Sequence, residues 1–195
     1  KNTILEFEPD LIIAYVGVND IGDISIREYI DTNSVSFDIR QLLEYRTPFF
    51  LYERLGLYQD TEDVFSNLDA NFISQRTALW KNNWLDICKF GKINNFKTIV
   101  AVQPMLGTSE RVFSSYEELL LSNQQIQINV MNEGLNEFAK SLNELDKECI
   151  TGDLRNVFEG IDEPIYYDSN HMSDFGNRIV AKNLFDLSLP ILFKE

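Results

Sequence analysis

The chain has 195 residues, 44% of them hydrophobic and 12% aromatic, so it can build a core and its composition argues against intrinsic disorder. Its 17 Lys and Arg against 31 Asp and Glu leave a net charge of −14, which argues against a nucleic-acid partner or an anionic lipid surface, because both need clustered cations. A single histidine rules out a multi-histidine metal centre, and no apolar run approaches the roughly 20 residues that span a bilayer.

Lys1 to Phe7 reads as the tail of a helix, with Ile4, Leu5 and Phe7 facing inward, broken by Pro9-Asp10. Leu11 to Gly17 follows without polar alternation, as in a strand buried on both faces of a parallel sheet. Residues 21–60 mix polar and aromatic side chains and read as an excursion above the sheet, with helical segments near Asp38–Tyr45 and Leu51–Leu57. Thr61 to Ile93 reads as a long helix in which Trp80 and Trp84, at i and i+4, start a core stripe continued by Ile87, Cys88 and Gly91.

Thr98 to Pro104 is a second apolar strand closed by proline. Ser114 to Glu117 has capping-box character and opens a helix reaching about Lys147. Glu148 to Phe158 holds a third, weaker strand, Gly160 to Asn170 a loop, and Met172 to about Leu187 the last helix. Alternating strands and helices predict one three-layer α/β/α domain over residues 1–195 with a parallel sheet. Cys88 and Cys149 form no C-x-x-C pair and leave one disulfide open. A first strand that is apolar on both faces wants a neighbour on each side, so an N-terminal strand-helix portion is expected upstream of Lys1.

In open α/β sheets, sites form at the carboxyl ends of the strands. Gly17-Val18-Asn19-Asp20 sits at such an end: Gly17 permits a sharp exit, and the Asn19 amide can donate to the oxygen of a tetrahedral intermediate. Asp20 suits a turn cap rather than chemistry. In Asp168-Ser169-Asn170-His171, a carboxylate three residues from the only histidine can fix its tautomer. The other ring nitrogen is then left as a general base toward a hydroxyl. Ser173-Asp174 suits the cap of the following helix. None of Ser34, Ser36 and Ser169 lies in the strand-to-helix turn that presents an activated serine.

These blocks, in this order, resemble the SGNH hydrolase superfamily, the GDSL-type esterases and lipases. The G-x-N-D block matches Gly17–Asp20 and the D-x-x-H block matches Asp168 and His171. Pro9–Ile13, Val102-Gln103-Pro104, Gly152-Asp153-Leu154 and the His171–Gly176 stretch are also similar, so the likeness covers essentially the whole chain. The resemblance implies a flavodoxin-like fold and a Ser-Asp-His triad. Asn19 becomes an oxyanion donor, Gly17 its supporting turn, His171 the base and Asp168 its orienting partner. It implies a small-molecule or carbohydrate ester as substrate and neither metal nor organic cofactor.

The G-D-S block with its nucleophile and the oxyanion-glycine block have no counterpart, and no serine occurs before Gly17. The nucleophile is therefore expected upstream, with the 195 residues alone inactive or nearly so. An O-acyltransferase built on the same triad and a catalytically dead binding domain are the alternative functions.

Overall fold

The computed structural model describes residues 5–21 and 70–193. The expected excursion over 21–60, the Thr61–Asp69 start of the long helix, Ser34 and Ser36 lie outside them, apart from Ile21. The described part is a mixed α/β fold around a three-stranded parallel sheet of order β1-β2-β3. The elements run β1 (Leu11–Val16), α1 (Ala70–Ile93), β2 (Lys97–Val102), α2 (Ser115–Asn123), α3 (Gln125–Leu145), β3 (Ile150–Asp153) and α4 (Asp174–Leu192).

β2 is apolar because both sheet faces are covered there, whereas β1, expected to be buried on both faces, is only partly covered among the described residues, with Ala14 alone of its six side chains buried. β2 lies in the middle, pairing Leu11–Val16 with Lys97–Val102 and Ile99–Val102 with Ile150–Asp153. Its residues Ile99 to Val102 are wholly buried. Their side chains meet helices, while their amides and carbonyls are used by strands on both flanks. Among the described residues β1 pairs with β2 alone, and Ile13 in it is exposed.

Helices α1 and α3 pack on each other and on the sheet, and α4 packs on β2 and β3. Trp80 of α1 stacks on Phe138 of α3 with ring centroids 4.5 Å apart, so the tryptophan stripe is core, as its spacing predicts. Further along the stripe, Cys88 forms a disulfide with Cys149, joining α1 to the chain just before β3.

Three expectations change. The helix expected from Ser114 to Lys147 is two helices broken at Gln124, whose φ of −121° and ψ of 26° leave the helical region. Ser122 bonds back to the Leu119 carbonyl and Asn123, a weak helix former, follows, so the break costs little while letting each helix pack separately. Phe7, expected inward, is exposed, because Glu8 adopts φ 45° and turns the chain between Leu5 and the strand. The last helix continues through Pro190 to Leu192. A proline so close to the C-terminal end removes one backbone bond without interrupting the packed face.

Candidate active site

The first motif is held from below. β1 ends at Val16, and Gly17 turns the chain at φ 145°, where a Cβ would stand 2.5 Å from Leu135 Cδ2. A glycine is required there on both counts. Val18 to Ile21 then make one helical turn, with the Ile21 amide donating to the Gly17 carbonyl. Ile21 is buried directly on Gly134, where a Cβ would approach Ile21 Cδ1 to 2.5 Å. Val18 is buried too, so Asn19 and Asp20 are left facing solvent.

The second motif is held by its own hydrogen bonds. The loop after β3 buries Phe158, Ile165 and Tyr166 and doubles back, Tyr166 bridging Met172 and the Tyr167 amide donating to the His171 carbonyl. At the tip, Asp168 Oδ1 accepts from the amides of Asn170 (2.9 Å) and His171 (2.7 Å). Its Oδ2 lies 2.7 Å from His171 Nδ1, a geometry that assigns the ring proton to Nδ1 and leaves Nε2 as the acceptor. Burial raises the Asp168 pKa, but the bonds from Asn170 and His171 outweigh it and hold the carboxyl below its ordinary value. His171 is 74% exposed, so its outer face is open to a reacting group.

Both motifs are tied to the segment that leaves β2. Gln103 Oε1 accepts from the Val18 amide, and the Gln103 amide donates to Val16. Leu106 donates its amide to the Ser169 carbonyl. The structure thus places Gly17 and Asn19, which leave β1, and Asp168 and His171, in the loop after β3, at the carboxyl end of the sheet, each motif bonded to the segment that leaves the central strand β2. Ser173 caps α4 by accepting from the Gly176 amide, as its position suggests. Ser169 is buried with its hydroxyl on Asn170. Among the described residues no serine hydroxyl is bonded to His171, and no group of three acidic, Cys or His side chains could hold a metal ion.

One part of the site escapes sequence reasoning. Glu117 reads as the third residue of a capping box, and its Oε2 does accept from the Ser114 amide and hydroxyl. Its Oε1 also accepts from Arg111 and from the amides of Ile165 (3.0 Å) and Tyr166 (3.1 Å), at the base of the histidine loop. Both side chains of the Arg111–Glu117 pair are fully buried. Burial opposes the Glu117 charge, yet the bonds from Ser114, Ile165 and Tyr166 prevail and keep its carboxyl below the ordinary range. The capping signal located the glutamate; nothing in the local pattern announced that its second oxygen serves a loop almost fifty residues away.

No family model, curated protein or solved structure matches the chain. No helix of the described residues is long and apolar enough to cross a membrane.

Proposed function

We propose that this chain carries the acid-base half of a serine-type hydrolase of carboxylic esters, of the SGNH kind. The observation that carries the reading is the Asp168–His171 contact of 2.7 Å beside an exposed ring. In this reading Nε2 of His171 takes the proton of a serine hydroxyl as that oxygen attacks the ester carbonyl, and Asp168 stabilises the imidazolium. Asn19 donates its amide to the developing oxyanion. The imidazolium then protonates the departing alkoxide, leaving an acyl-serine that water cleaves by the reverse proton path. In this reading the serine comes from a segment upstream of Lys1, whose strand would join the side of β1 that has no partner among the described residues. The fold in this reading is the three-layer, flavodoxin-like one. No metal or organic cofactor takes part, and the substrate is a small or carbohydrate ester.

The test begins with the coding DNA immediately upstream of Lys1 and expression of the whole reading frame. The longer protein should hydrolyse a p-nitrophenyl ester. Asp168→Asn should cost on the order of 10⁴ in kcat, and Asn19→Ala about 10²–10³. Activity indifferent to both substitutions would sink the reading, and His171-dependent turnover by the 195 residues alone would place the nucleophile within them. A start codon immediately before Lys1, with no turnover by the product, would favour a binding domain. A labelled sugar acceptor in the assay separates hydrolysis from acyl transfer.

A further inference from the structure

We propose that the buried Arg111–Glu117 pair is the positioning device of the Asp168–His171 loop, setting the proton on the histidine ring from the foot of that loop. Its meaning for catalysis rests on the function proposed above, but the arrangement can be tested without turnover. Glu117 spends one oxygen on its own helix cap and the other on Arg111 and two loop amides, Ile165 and Tyr166. Arg111 in turn donates through Nη1 to the carbonyls of Val112, Ile161 and Glu163, and its guanidinium lies over the Phe113 and Tyr166 rings. The pair therefore grips both the descent into the loop at Ile161 and Glu163 and its buried residues Ile165 and Tyr166.

From there the path to the histidine is short. The Ile165 carbonyl accepts from Ser173 at 2.7 Å, Tyr166 bridges Met172, and the Tyr167 amide donates to His171. Tyr116, next to Glu117 on α2, donates its hydroxyl to the Tyr167 carbonyl at 2.8 Å. Each strand of the loop is thus referenced to α2, and the tip closes on Asp168. A pair needed only for general stability would have no reason to place two of its bonds on this loop. Glu117 touches neither substrate nor the reacting atoms in the proposed reaction, so its role is to position.

Because His171 is the only histidine, its ring nitrogens give an unambiguous NMR signal. Nitrogen-15 shifts read through the ring carbon-bound protons report which nitrogen carries the proton. In the wild-type chain, in mildly alkaline buffer, Nδ1 should carry it. In Glu117→Gln, with near-ultraviolet circular dichroism confirming the fold, the proton should move toward Nε2, the form a freely rotating imidazole prefers. Leu142→Ala weakens the buried core at the opposite, amino end of the strands and should leave the proton on Nδ1.

An unchanged tautomer in Glu117→Gln, or an equal change in Leu142→Ala, overturns the proposal. If Glu117→Gln does not fold, Arg111→Lys, which keeps the charge but loses the fork to three carbonyls, is read the same way. Hydrogen exchange of the wild-type chain decides independently. Amides of Asn170 and His171 that outlast those of Ile165 and Tyr166 would mean the tip survives release of its foot, and the proposal fails. A wild-type ring already protonated on Nε2 would instead remove the Asp168–His171 contact itself, and with it the proposed function.

Discussion

The two motifs reach the same end of the sheet by opposite means. The Gly17–Asp20 turn is seated by packing, with Gly17 against Leu135 and Ile21 against Gly134, and the Val18 amide bonds to Gln103 beneath it. The Asp168–His171 loop has few packed side chains at its tip and is shaped by polar contacts, on Asp168 above and on Glu117 below. Packing tolerates little change of volume but is indifferent to pH. A carboxylate-built loop tolerates changes of size and responds to protons. A site assembled from both should fail in two distinguishable ways.

Arg111→Ala strikes the polar half hardest. It strands a buried carboxylate and should cost about 3–5 kcal/mol in urea unfolding. A loss under 1 kcal/mol would show that Glu117 is solvated once its partner is gone, and the contrast between the regions would shrink. Gly17→Ala strikes the packed half: its methyl group must displace buried Leu135 at an unfavourable φ, at about 1–3 kcal/mol. The ring proton of His171 should stay on Nδ1 in that variant, and its movement would show that the halves are coupled through Gln103–Leu106. Ser173→Ala removes the α4 cap beside the loop and should cost about 1 kcal/mol.

Acid gives the smallest effect and the finest distinction. The Asp168 pKa is lowered in the folded chain, so its contribution to stability is present above the unfolded value and is lost as pH falls through the folded one. With the side chain 46% exposed, solvent screens that contribution to below about 1 kcal/mol. Asp168→Asn should therefore flatten the fall in stability on acidification below the usual carboxylate range only slightly, whereas Glu117→Gln should flatten it more. Equal slopes would put the two carboxylates in equivalent surroundings.

The packed half was the more legible in the sequence. Apolar runs without alternation gave β1 and β2, Trp80 and Trp84 gave the buried side of α1, and Gly17 gave the turn, since local composition records which residues must be inside. Asp168 and His171 were legible because their bond is local, three residues apart. The Arg111–Glu117 contact to Ile165 and Tyr166 was not, because a long-range polar contact leaves no periodic trace. The break at Gln124 was missed for a related reason: no Pro or Gly marks it, and only the separate packing of α2 and α3 selects it. The pairing of Cys88 with Cys149 stayed open until the fold set one beside the other.

That sulfur bridge bears on how the protein is handled. It closes a loop spanning 61 residues of sequence, so the cross-linked chain unfolds into a smaller ensemble than the reduced one. A reducing host would supply the chain in its looser form, with Cys88 of α1 still buried in the core and slow to reoxidise. Two preparations of identical sequence, one oxidised and one reduced, would then give different midpoints, and the state of one bond, rather than any substitution, would account for the gap.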